Sequence, residues 1–533
     1  MASLLTRVGR LFLPAGVEAR KRRLELTIWS FLLSLSFYPE YFGFLAWFSL
    51  VRPLMIITSL KGRSAFNAAY FFSFFFNLFS LYWVAMVTLP GMLSAVVIVA
   101  FYYTAVLIVF RRVYAFRPIY GFFVLPFLWV GMEYFRTLSQ FAFPWSDLGY
   151  TQSYYLYIMQ IVSVTSVHGL SFLIVAVNVL LWQVLRKALS PERRLTSFFV
   201  SVAVVVLLTA YGWIVVPKYP TDGSVKVALL QGSVPLDVKW ARNNAHHSFQ
   251  LYDSLAQSVA DDSVELFVWP ETSAPCYLSH DAGCRQIIGN TVHRTGASHL
   301  VGALGAGTVG GEQRYFNSCY HFEPSGVMQK RYDKVKLVPF SEQVPYQDYL
   351  PFMKKAFLRK YLTIIDSHDV QWWSDFLPGD SAVLFELGDL RYSVLICFES
   401  TFPEFMRQII WKGADFMVGI TNDTWFGRSV GIHMHSRIFI TRAIENRIWG
   451  VRVANSGLTY IVDGYGRVRK SLELYEVAAM TGRLKPLEGF SFFTRHGDLI
   501  GIWSFLITVS TICILLVTWF VQRLRFGRSS RAA

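Results

Sequence analysis

The sequence predicts a multi-pass α-helical membrane bundle joined to one α/β domain. Three observations predict it. Long apolar stretches crowd the first 216 residues and recur once near the C-terminus. The polar region between them alternates β-branched runs with helical periodicity. Charge is also scarce: 53% of the 533 residues are hydrophobic and 17% aromatic, against 16% charged, with a mean hydropathy of +0.38. A water-soluble chain of this length carries more charge, so a large share of this one faces lipid.

Apolar stretches near the length that crosses ~30 Å of hydrocarbon fall at 25–39, 43–59, 65–87, 92–110, 118–135, 155–185, 196–216 and 499–521. They give seven spans before the polar region and one after it, with a re-entrant pair as the alternative for the first two. The basic residues set the direction. Clusters at 20–23, 61–63, 111–117, 186–194 and 523–531 share one side, and the opposite short loops offer only Arg136. Positive charge stays in the cytoplasm, so both termini are expected there and the polar region outside. The expected division is a bundle at 1–220, an extracytoplasmic catalytic domain at 221–488, and a C-terminal span with a basic tail at 489–533. The start, MASLLTRVGRLFLPAG, lacks a cleavable signal pattern, so the first helix is expected to act as its own membrane signal. The formal charge of +15 suggests nucleic acid at first sight. The basic residues lie in short loops between spans, however, and no nucleic-acid module appears.

Within the polar region, short β-branched runs lie at 226–230, 264–269, 300–304, 393–397, 416–420 and 450–453, separated by helical patterns such as 241–259 and 435–447. The Gly-rich run 302–311 matches no phosphate-loop spacing and reads as a hairpin turn. Residues 344–376 break the alternation with an aromatic, basic, amphipathic stretch. That stretch is either a surface helix or an arm dipping into the outer leaflet. Of the five cysteines, Cys513 lies in an apolar run. Cys276, Cys284 and Cys319 can form a disulfide in an oxidising compartment, with the pairing open. No zinc-type spacing is present.

Three motifs at strand ends carry chemistry. Trp269-Pro270-Glu271-Thr272 closes a strand with a carboxylate, Tyr332-Asp333-Lys334 offers a lysine before a Pro break, and Ile396-Cys397-Phe398-Glu399 places a thiol at a strand end. A thiol nucleophile needs a base for its proton and cations or NH groups for the oxyanion. Glu, Lys and Cys together supply both.

With TNDTWFG and RAIEN…RVANSG, these motifs resemble the nitrilase (carbon–nitrogen hydrolase) superfamily, in family order across roughly 225–480. The flanking spans make the whole chain resemble the apolipoprotein N-acyltransferase family within it. The resemblance implies an αββα sandwich, with Glu271 as general base, Lys334 as oxyanion stabiliser and Cys397 as nucleophile. Lys336 is the rival lysine, but the family spacing selects Lys334 with Glu342 eight residues on. Glu342 would position Lys334, Glu399 would support the nucleophile, and the Phe398 NH would be a second oxyanion donor. Trp240, Asn317, Asn422 and Trp425 fall on family positions beside the pocket and are expected to bind substrate. His435 keeps a family histidine, although Ile432-His433-Met434 replaces the usual run before it. It is not counted among the catalytic residues, because a histidine at a helix start is more often structural.

The implied reaction moves an acyl chain from a phospholipid through a Cys397 thioester to the N-terminal amine of diacylglyceryl-cysteine in a lipoprotein. No metal or organic cofactor is implied. The expected setting is the bacterial inner membrane, with the catalytic domain on the periplasmic face of a monomer. The alternative is a membrane-anchored amidase of the same fold, in which water takes the acyl group. A transporter or receptor fits less well, since few ionisable residues lie in the spans, Arg52 and Glu133 being the main exceptions. A dead scaffold is disfavoured because each member of the set is present.

Overall fold

A computed structural model describes residues 16–529 except 187–188, 220–221, 240–244, 348 and 351–374. Among the described residues six helices are long and apolar enough to cross a membrane: Gly62–Met86, Leu89–Phe116, Pro118–Phe135, Val162–Leu185, Pro191–Val215 and Leu499–Leu524. Their starts follow local chemistry. The Thr88 and Ser190 side chains accept from backbone NH groups of the first turn, and each helix has Pro in that turn. Large apolar side chains on the last two, among them Leu207, Ile214, Leu516 and Phe520, are exposed, which is the surface lipid would cover.

The expected stretches 25–39 and 43–59 differ from a pair of full spans. The first runs four residues past the end of helix Val17–Leu35, whose N-terminal half carries Arg20, Lys21, Arg22 and Arg23. The second breaks into a 3-10 turn, Gly43–Trp47, and a helix, Val51–Ser59. Nine residues rise only about 14 Å, half the hydrocarbon thickness. The two ionisable exceptions are structural: Arg52 pairs with Glu25 at 2.8 Å, and Glu133 accepts from Trp129 Nε1 at 3.0 Å and the Leu148 NH at 2.9 Å.

The polar region builds two stacked sheets from strands β1 (Val225–Gln231), β2 (Leu266–Val268), β3 (Ala274–Tyr277), β4 (Ser298–Val309), β5 (Glu312–Phe322), β6 (Met328–Asp333), β7 (Leu384–Leu387), β8 (Leu390–Ile396), β9 (Phe416–Thr421), β10 (Gly450–Ala454), β11 (Tyr460–Val462), β12 (Val468–Ser471) and β13 (Ala478–Leu484). The first sheet runs β13-β1-β2-β4-β5-β6 with β3 beside β4, and the second runs β12-β11-β10-β9-β8-β7. Period-two alternation assigns the faces. Val227 and Leu229 point between the sheets toward Val394, Ile396, Val418 and Ile420. Ala228 and Leu230 point outward beneath helices Ala245–Val259 and Ala282–Thr295. The other outer layer is helices Pro403–Trp411 and Val430–Asn446. The order helix, sheet, sheet, helix is the expected αββα sandwich.

The Gly-rich run is a hairpin, as the sequence predicts. β4 and β5 pair to Val309↔Glu312, leaving a two-residue turn of Gly310 and Gly311 at φ +59° and +84°, the double positive φ that favours glycine.

The second sheet's helix layer and the membrane bundle share one apolar core. Met406, Ile409, Phe439 and Ile444 belong to the same cluster as Phe76, Trp83, Trp129 and Leu170. At this junction Trp83 packs on Phe426 with ring centroids 4.9 Å apart, and Trp145 lies 5.7 Å from His435. Polar contacts also gather here. Asp498, just before the last span, meets His168 and accepts from Ser166 Oγ at 2.8 Å, and Glu445 accepts from the Val167 NH at 2.9 Å.

Candidate active site

β8 delivers Cys397. The strand ends at Ile396 and the chain enters a 3-10 turn, Cys397–Thr401, with Cys397 at φ +52°. A non-glycine residue holds that backbone only when its surroundings enforce it. Glu399 is one enforcer. Fully buried, it accepts from the Ile396 NH at 2.8 Å on one oxygen. On the other it accepts from the Tyr332 hydroxyl at 2.6 Å and from the NH groups of Val335 and Lys336 at 2.7 and 3.1 Å. One carboxylate thereby ties the nucleophile's turn to the segment that carries Lys334. Burial raises the Glu399 pKa above the ordinary carboxylate value, although these donors act against it.

His435 is the second enforcer. Its Nε2 lies 3.1 Å from the Cys397 carbonyl oxygen and 3.2 Å from Ser400 Oγ. Its Nδ1 faces Asp423 Oδ1 at 2.9 Å, and Arg452 reaches Asp423 Oδ2 at 2.7 Å. Burial disfavours ionised Asp423, yet Arg452 and His435 outweigh it and hold the carboxyl below its usual range. No linear motif groups these three residues, since they lie on three separate elements.

Lys334 follows β6, its NH fixed to the Asn317 carbonyl at 2.8 Å. Its ammonium is 1% exposed and donates to Glu342 at 2.9 Å, with Glu271 Oε1 3.8 Å away. Burial alone would lower its pKa, but Glu342, Cys397 and Glu271 raise it above the normal lysine value.

Glu271 follows β2 past Trp269 and Pro270. Oε1 accepts from Asn317 Nδ2 at 2.7 Å, and Oε2 accepts from the Asn422 NH at 2.8 Å. Asn317 also donates to Glu342 Oε1 at 2.9 Å, so a single amide holds both carboxylates. β4 presses on this loop from behind at Gly302. A Cβ there would sit 2.3 Å from the Pro270 oxygen and 2.8 Å from Glu271 Cα. Lys239, which sequence reasoning missed, buttresses the same loop. Its Nζ donates to Thr272 Oγ1 at 3.1 Å and the Glu271 carbonyl at 3.4 Å, and burial lowers its pKa to about 8. Its signal was faint: a lysine beside Trp240 reads as a solvated surface residue.

The arrangement supports base-assisted thiol chemistry. Burial and then Glu271 push the Cys397 thiol above its usual pKa, with Lys334 pulling the other way. The resting group is a thiol, so attack on a carbonyl needs a base to remove the proton as the bond forms. A carboxylate and a lysine are both within electrostatic reach.

A family model described as carbon–nitrogen hydrolase matches residues 226–476, and one described as the apolipoprotein N-acyltransferase N-terminal domain matches 30–180. The apolipoprotein N-acyltransferase of Geobacter metallireducens is 34% identical over 481 residues, covering 88% of this chain and 90% of its own. The chain belongs to the apolipoprotein N-acyltransferase family. A second relative with that name, from Chlorobaculum tepidum, is 29% identical and covers 86% of this chain and 89% of its own. Among solved structures, an amidase of the nitrilase superfamily from Nesterenkonia is similar at 17% identity and a TM-score of 0.38, covering 54% of this chain and 100% of its own.

The remaining expected residues of this acyltransferase-family site are placed unevenly. Phe398 is the second residue of the Cys397 turn, its ring buried edge-on against Phe402 at 5.2 Å. Asn422 contributes its NH to Glu271, while its side chain turns away to accept from Thr424 Oγ1 at 2.8 Å. Trp425 is partly buried in the 3-10 turn Asp423–Phe426. Trp240 and positions 348 and 351–374 of the amphipathic stretch lie outside the described residues. Beside the Trp425 turn, a cleft of ≈ 310 Å³ opens between Tyr38 and Pro39 of the bundle and Arg428, His433 and Tyr475 of the α/β domain.

Proposed function

We propose that the chain is a phospholipid:apolipoprotein N-acyltransferase acting through a Glu271–Lys334–Cys397 set. Glu271 takes the Cys397 proton as sulfur attacks the ester carbonyl of a phospholipid. Lys334 and the Phe398 NH stabilise the tetrahedral oxyanion. The intermediate collapses to a Cys397 thioester, and the departing lysophospholipid oxygen receives the proton from Glu271. The α-amine of a lipoprotein's diacylglyceryl-cysteine then attacks the thioester and gives its proton to Glu271. Its nitrogen keeps the acyl chain as an amide, and sulfur leaves and is reprotonated. Glu342 and Glu399 act by positioning Lys334 and the nucleophile's turn, Asn317 and the Asn422 NH by holding Glu271, and Trp240 and Trp425 bind substrate.

The observation that carries this reading is the constellation of a carboxylate, a buried lysine and a thiol, in which Cys397 is followed directly by Phe398 of the core shared with the membrane bundle. Two lipid substrates need a site at the bilayer surface. The clustering of basic residues supports a bacterial inner-membrane protein with residues 221–488 on the periplasmic side, between a bundle at 1–220 and a final span at 489–533. A monomer suffices, because each member of the set comes from one chain. The names of the relatives speak against water as the acyl acceptor. The test is incubation of purified protein with phospholipid alone, followed by mass spectrometry. An acyl adduct on Cys397 is expected, and activity surviving in Cys397→Ala with no adduct in the parent would overturn the reading.

A further inference from the structure

We propose that Cys276 and Cys284 are joined in a disulfide in the mature protein, leaving Cys397 as the reactive thiol of the α/β domain. The faces of the first sheet settle which cysteines can meet. Cys319 and Cys397 face the core between the sheets, whereas Cys276 and Cys284 belong to the cluster on the first sheet's outer face. β-sheet backbone separates the two sets, and Cys513 sits far off in the last span. Cys276 and Cys284 therefore share one compartment and Cys319 and Cys397 the other, and the Cys397 thiol is committed to the catalytic set.

Local geometry brings them together. β3 ends in a tight reversal in which the NH groups of His280 and Asp281 donate to the Tyr277 carbonyl at 2.9 and 3.0 Å. Asp281 then caps helix Ala282–Thr295 by accepting from the Cys284 NH at 3.0 Å. This reversal returns the chain to the outer face of the first sheet, and Cys276 of β3 and Cys284 of the first helical turn pack against the same apolar cluster. Both are free thiols in the structure, Cys284 buried and Cys276 half-buried, so Cys276 is the sulfur an oxidant can reach. The chemistry is thiol–disulfide exchange with an external protein disulfide. The Cys276 thiolate attacks one oxidant sulfur and displaces the other, forming a mixed disulfide. Cys284 then attacks the Cys276 sulfur and releases the oxidant as a dithiol. The two thiol protons end on the oxidant's sulfurs, and the protein is oxidised by two electrons. The product closes a short ring that begins five residues after Glu271, bracing the loop that carries the base.

This inference rests on the proposed placement of residues 221–488 outside the cytoplasm, where such oxidants act. The test blocks free thiols with N-ethylmaleimide in intact spheroplasts, then purifies the full chain and maps it unreduced. The expected product is a Cys276–Cys284 cross-linked peptide two hydrogens lighter than its reduced form, released by reductant. The variants Cys276→Ser, Cys284→Ser and the double variant should lower Tm equally. Placement is read separately by a membrane-impermeant maleimide on Glu312→Cys at the β4–β5 hairpin. Labelled Glu312→Cys with both native thiols alkylated overturns the disulfide alone. Unlabelled Glu312→Cys with both thiols alkylated overturns the placement and the disulfide with it.

Discussion

Lys334 eases the ionisation of Cys397. The thiol is held up by burial and by Glu271, and Lys334 is the charge that draws it down. Removing that cation as Lys334→Met raises the thiol pKa further. The pH profile of Cys397 alkylation by iodoacetamide should therefore move to higher pH, with Lys334→Arg moving it less. An unmoved profile would show that the ammonium does not act on the sulfur. Asn317 is a second lever, because its amide donates to both Glu271 and Glu342. Hydrogen bonds to charged groups contribute about 1.5–3 kcal/mol each, so Asn317→Ala should slow acyl-enzyme formation by roughly 10–100-fold, measured by single-turnover mass spectrometry. At this scale the sequence was informative where chemistry sits in a contiguous motif, as in Trp269–Thr272 and Ile396–Glu399. It was silent where partners converge from separate elements, as His435, Asp423 and Arg452 do. Nothing along the chain says that a histidine on one helix faces the carbonyl of a cysteine ending a strand.

Among the elements, the Glu271 loop and the Cys397 turn are held from behind. Gly302 allows β4 to touch the loop's backbone, and an added methyl would meet the Pro270 oxygen at 2.3 Å. Gly302→Ala should destabilise the fold by about 1–3 kcal/mol of overpacking, seen as a lower Tm, and should cut activity in the protein that remains folded. Thermal unfolding and turnover on the same detergent-solubilised sample check both. An unchanged activity would mean the loop relaxes without moving Glu271. The six expected runs each overlap a strand, because buried strands of the two sheets are continuous apolar segments. β3, β7, β11 and β12 were not legible. Three or four residues are too few to show a period, and β12 is largely polar. β13 also escaped notice: it pairs antiparallel with β1, closing the domain between its two ends, a long-range pairing with no local signal.

As a whole molecule, the protein joins anchor and catalytic domain through a shared apolar core flanked by hydrogen bonds such as those of Arg442 to Tyr150 and of the Val167 NH to Glu445. The apolar face of helices Pro403–Trp411 and Val430–Asn446 is covered by the bundle. At Gly431 the fit is close enough that a Cβ would lie 2.6 Å from the Trp83 ring. Residues 221–488 expressed alone would expose that face, an apolar patch of the kind that drives association. The fragment should be aggregated by size-exclusion chromatography in conditions where the full chain in detergent is not. A monodisperse, active fragment would show that the bundle is dispensable to the fold. Composition announced both halves of the molecule, but not the shared core, since an amphipathic helix looks the same whether its apolar side meets a sheet or a membrane span. The stretch at 344–376 shows a further result of this construction. At its start, the Tyr346 NH donates to Gln140 Oε1 of the bundle at 2.6 Å, and at its end the Phe376 NH donates to the Glu342 carbonyl at 3.0 Å. One foot of the excursion thus stands on the membrane anchor and the other on the residue that grips Lys334. A load applied at Tyr346 is borne by the bilayer-embedded frame, and one applied at Phe376 by the peptide unit of Glu342.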